Sequence, residues 1–214
     1  KLRIVSNLAI YRIAKAEAVW KKDDIGSDSI EGILDAHALA EVDPFRLATH
    51  NKGIMNGIDA VAIATGNDFR AIEAGAHSYS VISGTYKPLT SFKKTINGDI
   101  SGSIKLPITV GTIGGITQSH PTAKIALKIL GAECACELAQ IMASVGLAQN
   151  FAALRALTSE GLQKGHMRLH SKNLAIMAGA QNGDVNAISQ QMIQENNFSI
   201  KRAQEILKLK VSHT

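Results

Sequence analysis

Aromatic residues are scarce, 4% of the 214 residues with a single Trp, which argues against a surface that stacks nucleic-acid bases. Two cysteines and four prolines are present. Cys134 and Cys136 lie two apart in an Ala-rich stretch, where a helix would point them to different faces. No disulfide is expected between them, and a reducing, cytoplasmic setting is the simpler one. No apolar run approaches the ~20 residues that span a bilayer, and no secretory signal is expected. Like charges never run beyond two or three residues, so a charged tail or membrane-surface reading has little support.

What is present suits a folded globular protein: 45% hydrophobic and 19% charged residues. A net charge of +5, from 23 Lys and Arg against 18 Asp and Glu, fits anionic ligands such as nucleotides or CoA but falls short of a nucleic-acid signature.

Periodicity divides the chain. Residues 1–9 alternate apolar with polar side chains and predict a strand, followed by a short helix or second strand through Val19 and Trp20. Residues 30–63 read as helical, with Asp43-Pro44 as a helix start. Thr65-Gly-Asn-Asp68 marks a break and a capping-box-like start for the next helix. In that helix Ala71, Ala74, Gly75 and Ala76 would permit close helix packing. Residues 86–110 turn to Thr, Ile, Ser and Gly, with turn signals at Asn97-Gly98 and Ser101-Gly102, and predict one or two hairpins. Helices follow over 121–130, 133–145 and 150–158. From Leu162 a His-bearing start, punctuation at Gly179 and Gly183 and two polar amphipathic helices predict a small helical domain.

Several groups of residues could carry chemistry. Lys52 and Asn56 are four apart and share a helical face, while Gly53 and Gly57 each cost about 1 kcal/mol in a helix interior, so close approach of a backbone or ligand is wanted there. A surface lysine with glycines that allow helix packing is the plainer alternative. Asp68 reads first as a helix cap, but a Lys beside a carboxylate can stabilise a developing alkoxide. Spacing alone leaves open whether Lys52 and Asp68 meet. His166 and His170 are four apart, yet Met167 stands where a zinc protease has Glu and no third ligand is near, so no metal is expected. A general acid and a capping histidine both remain open. Gly111-Thr-Ile-Gly-Gly115 could let backbone amides approach a phosphate or nicotinamide, although it has neither the dinucleotide-fold nor the P-loop pattern.

Six stretches together resemble the bacterial, class II 3-hydroxy-3-methylglutaryl-CoA (HMG-CoA) reductases: residues 3–9, 43–59, 64–77, 110–115, 145–150 and 160–170. The resemblance implies an α+β fold. Residues 1–161 would be the C-terminal part of the large substrate-binding and catalytic domain, helices around a central helix with a few strands, and 162–214 a helical flap. It implies interconversion of HMG-CoA with mevalonate and CoA by two hydride transfers, with NADH or NADPH as co-substrate. In these roles Lys52 matches the lysine that stabilises the carbonyl oxygen, Asp68 the aspartate that hydrogen-bonds and tunes it, and His166 the acid that protonates the CoA thiolate. Arg46, Asn56 and Gln149 match substrate contacts, and Asn7, Thr112, Ile113, Gly114 and Gly115 positions near the nicotinamide. The family's upstream glutamate and dinucleotide loop have no counterpart in this sequence, so the implied partners are an N-terminal half and a second copy, in a homodimer or higher even oligomer, with no nucleic acid or membrane. A non-catalytic CoA-binding fragment is the alternative.

Overall fold

In the computed structural model, residues 1–158, 162–181 and 183–211 are described. They form two compact units, Lys1–Thr158 and Ser159–Thr214. The first holds β1 (Ile13–Trp20), α1 (Lys22–Ile25), α2 (Ser27–Val42), α3 (Pro44–Ala64), α4 (Phe69–Ser80), β2 (Thr90–Lys94), β3 (Ile100–Pro107), α5 (Gly115–Ser119), α6 (Pro121–Leu130) and α7 (Ala135–Thr158). The second holds α8 (Leu162–Met177), α9 (Val185–Gln194) and α10 (Ile200–Val211). This is an α+β architecture, and no helix among the described residues is long and apolar enough to cross a membrane.

The three strands form one antiparallel sheet in the order β1-β3-β2. The predicted Asn97-Gly98 turn joins β2 to β3: Gly98 takes φ +83°, and the Thr95 amide donates to the Asp99 carbonyl at 2.8 Å. Alternation along the strands buries one face, with Ala14, Thr90, Phe92, Ile100, Ile104 and Leu106 directed to the core. Ser101-Gly102 is no turn; it lies inside β3, opposite Ala18 on one side and Phe92 on the other. The missing side chain there makes room for rings. A Cβ on Gly102 would come within 2.7 Å of both Phe92 and Trp20, and Trp20 in turn stacks on Phe151 of α7 at 3.9 Å between centroids. Three of the nine aromatic residues, Trp20, Phe92 and Phe151, thus meet where sheet and helix join.

α7 is the central helix, packed against α2, α3, β1 and β3. Two separate helices were expected over this stretch, but it is one, because Gly146 does not break it. Gly146 instead lets Ile58 of α3 approach: a Cβ there would lie 2.9 Å from the Ile58 side chain. The strand expected over residues 1–9 does not form. The backbone turns on itself instead, the Ala9 and Arg12 amides donating to the Asn7 and Ala9 carbonyls at 2.9 and 2.8 Å, and Leu2, Ile4 and Val5 stay exposed.

In the second unit Leu174, Ala175, Ile188, Met192, Ala203 and Ile206 form a separate small core, and the Ser171 and Ser189 hydroxyls meet at 2.7 Å within it. Three helices stand where two were expected, since the His-bearing stretch is itself helical. Gly179, at φ +96°, ends that helix.

Gly102→Ala is expected to cost about 1–3 kcal/mol through overpacking of Phe92 and Trp20. Urea unfolding followed by the fluorescence of the single Trp measures it, and an unchanged midpoint would mean that the rings yield freely.

Candidate active site

α3 begins with the predicted cap: the Asp43 carboxylate accepts from the Phe45 amide at 3.0 Å, and Pro44 occupies the first turn. One side of the helix is buried through Leu47, His50, Asn51, Ile54, Met55, Gly57, Ile58 and Ala62. Phe45, Thr49, Lys52, Asn56, Ala60 and Ile63 recur at spacings of three and four and form an exposed stripe on the other side. Lys52 and Asn56 therefore stand side by side, as their spacing implied. Arg46 borders the stripe, half-buried, and burial lowers its pKa. It makes no hydrogen bond or ion pair among the described residues, so it is a partly desolvated cation with no anion to meet it.

The two glycines beside Lys52 have different reasons. At Gly57 a Cβ would lie 3.0 Å from both the Gln149 Cβ and the Val145 carbonyl, so its absence lets α7 press against α3. Gln149 is thereby brought against α3 one residue from Asn56. Gly53 has open space above it, with nothing within 4 Å.

Beneath the stripe runs a buried polar seam that sequence reasoning missed. His50 Nε2 lies 2.9 Å from Thr90 Oγ1, and Thr90 donates to Asn150 Oδ1 at 2.8 Å. Because the Thr90 proton is committed to Asn150, His50 must donate through Nε2, which leaves Nδ1 bare. Asn51 Nδ2 donates to the Lys87 carbonyl at 3.1 Å, and Asn51 Oδ1 accepts from the Leu89 amide at 3.1 Å. Burial, the neighbouring His37 and Arg46 push the His50 pKa down to about 3, so the imidazole is neutral near neutrality. Acid works against this arrangement. As pH falls from 6.5 toward about 3 the unfolded chain takes up a proton that the folded one refuses, and stability drops across that window. The available signal was two adjacent polar residues, His50 and Asn51, at helix positions whose period places them inside.

Asp68 caps α4: its Oδ1 accepts from the Arg70 and Ala71 amides at 3.1 and 3.2 Å and lies 3.7 Å from Arg70 Nε. Thr65, the other half of the expected capping pattern, closes α3 instead by donating to the Val61 carbonyl at 2.7 Å. No contact joins Lys52 to Asp68 within the chain. Ala64 lies twelve residues along α3 from Lys52, an axial rise of roughly 18 Å, and Asp68 lies beyond that end.

Asn7 is exposed, and its carbonyl lies 2.7 Å from where a Cβ on Gly75 would be. The small residue in α4 thus admits the crossing backbone of residues 1–12 rather than another helix. Gly111 donates its amide to Asn67 Oδ1 at 2.8 Å. Thr112 is half-buried, Ile113 is 86% exposed, and Gly114 and Gly115 take φ +84° and +56°. His166 belongs to α8 in the other unit, and its side chain lies outside the described residues; His170 is exposed.

Asp59 of α3 faces Glu73 and His77 of α4. Burial, a hydrogen bond to Glu73 and its charge push the Asp59 pKa up to about 7, while His77, 2.7 Å from Glu73, pulls it the other way. A raised carboxyl pKa stabilises the fold fully below the unfolded value of 3.8 and loses that contribution as pH rises through about 7. Asp59→Asn is therefore expected to gain stability over the parent as pH rises from about 5 to about 8. Urea midpoints at the two pH values test this, and equal differences at both would contradict it.

Comparison with known proteins places the chain in a family. The family model described as hydroxymethylglutaryl-coenzyme A reductase matches residues 1–171. The 3-hydroxy-3-methylglutaryl-coenzyme A reductase of Archaeoglobus fulgidus is 58% identical over 207 residues, which cover 96% of this chain and 47% of that protein. A probable reductase of the same name from Borreliella burgdorferi is 49% identical over 125 residues, 58% of this chain and 29% of the relative. The NADPH-bound class II reductase of Streptococcus pneumoniae, in open conformations, superposes with a TM-score of 0.68 at 42% identity, over 95% of this chain and 51% of that one. The chain thus spans about half the length of the Archaeoglobus and Streptococcus enzymes, and it belongs to the hydroxymethylglutaryl-coenzyme A reductase family.

Proposed function

We propose that this chain carries the C-terminal part of an enzyme that interconverts HMG-CoA with mevalonate and CoA, using two molecules of NADH or NADPH. The observation that carries the reading is the α3 surface. Arg46, an unpaired and partly desolvated guanidinium, borders Lys52 and Asn56, and Gln149 is pressed against the same helix. A free carboxylate and a thioester carbonyl on one substrate need such a set: a planar cation for the first and a point charge with amide groups for the second.

A bound nicotinamide would supply the hydride for the carbonyl carbon in each of two steps. Lys52 holds the negative charge that gathers on the carbonyl oxygen, first in the thioester and then in the aldehyde formed when CoA leaves. His166 protonates the departing thiolate, a task for a group that titrates near neutrality. Arg46 anchors the distal carboxylate, and Asn56 and Gln149 orient the reacting end. Asn7 and Thr112–Gly115 would hold the nicotinamide. Residues 162–214 act as a flap that carries His166 to the substrate.

Asp68 tunes Lys52 across a subunit boundary. The length of α3 keeps the two apart within one chain, so the pair forms between two copies, in a homodimer or higher even oligomer. The upstream glutamate and the dinucleotide-binding loop come from an N-terminal half. The exposed free cysteines, Cys134 and Cys136, suit a reducing cytoplasm.

The test is HMG-CoA-dependent oxidation of NADH and NADPH by the whole protein that contains this chain. Lys52→Ala is expected to lower kcat by about 10²–10³-fold or more. A parent without activity, or a variant with full activity, would overturn the reading, and CoA binding without turnover would favour a binding role.

A further inference from the structure

Of the four residues Thr65-Gly-Asn-Asp68, the proposed chemistry uses only the last. Of the other three, Asn67 bonds to the Gly-rich loop, Gly66 packs where that loop ends, and Thr65 bonds to Asn67. Thr65 is fully buried, and its hydroxyl proton is committed to the Val61 carbonyl of α3 at 2.7 Å. Toward Asn67 it can therefore only accept, and Asn67 Nδ2 donates to it at 3.0 Å. That fixes the orientation of the amide group, with Oδ1 facing the other way, where it receives the Gly111 N–H at 2.8 Å. The Asn67 amide itself is anchored to the Ala62 carbonyl at 2.8 Å. The far end of the loop rests on the same turn. Gly66 takes φ +71°, and a Cβ there would lie 2.8 Å from Ile116 and 3.4 Å from Ala123. Between these two attachments Gly114 and Gly115 have nothing within 4 Å of where a side chain would begin.

We propose that Asn67 is a positioning residue that sets the Gly111–Gly115 loop for the nicotinamide cofactor, through the hydrogen-bonded run from Thr65 to the Gly111 amide. The inference rests on the reductase reading and adds to it how the loop is held. Asn67 adjoins Asp68, so one turn fixes both the loop and the carboxylate that caps α4. The residue type follows from the run: an amide both donates to a committed hydroxyl and accepts from a backbone N–H, whereas Asp cannot donate and Ala does neither. An untethered loop would still exist but would sample other positions, and the cost of ordering it would then fall on cofactor binding.

The experiment is steady-state kinetics and amide hydrogen exchange on the whole protein carrying Asn67→Ala. Thr65→Val, which keeps the shape of Thr65 and removes only the hydroxyl, serves as a second variant should the first not fold. Either variant is expected to raise the KM for the nicotinamide cofactor at least about tenfold, a loss within the range for a buried hydrogen bond of this kind. The KM for the thioester should stay within about twofold, and exchange at Gly111 should quicken. A general structural defect would move both KM values together, and that result, or an unchanged cofactor KM, overturns the proposal. A parent protein that oxidises no nicotinamide overturns the reductase reading instead; Gly111 exchange then still decides the tether, since a rate unchanged in Asn67→Ala would mean that Asn67 does not hold the loop.

Discussion

His50 donates to Thr90 and Thr90 to Asn150, so α3, β2 and α7 are joined in the interior by one continuous run of hydrogen bonds. Asn51 adds two bonds to the backbone just before β2. An unmet buried polar group costs about 1–3 kcal/mol, and a run like this is satisfied in one register only. Apolar packing alone would tolerate small slips of one helix along another; these bonds do not. Position along the chain then transmits the constraint. His50 and Asn51 immediately precede Lys52, and Asn150 immediately follows Gln149. The seam that sets the register of the core also sets where the two exposed polar groups stand.

Glycines complete the arrangement where side chains would prevent it. Gly57 and Gly146 bring α3 and α7 close enough for the seam to form, and Gly102 leaves room for the rings that hold the sheet to α7. A surface supported in this way needs no rigidity of its own. Arg46 and Lys52 have side chains with many rotamers, but their backbones belong to a helix anchored on its opposite side.

Much of this was legible locally. Asp43-Pro44 announced the start of α3 and Asn97-Gly98 the β2–β3 turn, because caps and tight turns are decided by neighbouring residues. Alternation in residues 1–9 misled, since its apolar members Leu2, Ile4 and Val5 meet no core among the described residues and stay exposed. Gly146 and Ser101-Gly102 looked like punctuation and are packing devices, a distinction that depends on residues far away in the sequence. Among the candidate site residues, Lys52 and Asn56 could be placed on one face by spacing. The distance between Lys52 and Asp68 could not, because it also depends on the path of the turn from Thr65 to Asp68, which the spacing leaves open. The seam escaped notice because its partners are 40 and 60 residues apart along the chain.

Thr90→Val tests most directly whether the seam positions the site, since it removes both bonds of Thr90 while keeping its shape. The measurement is kcat/KM for the thioester in the whole protein, compared with a variant of equal stability loss altered only at the aromatic cluster. If the seam places Lys52 and Gln149, Thr90→Val lowers kcat/KM by about tenfold or more beyond that reference, in line with the cost of a displaced polar group. Equal activity in the two variants would contradict it.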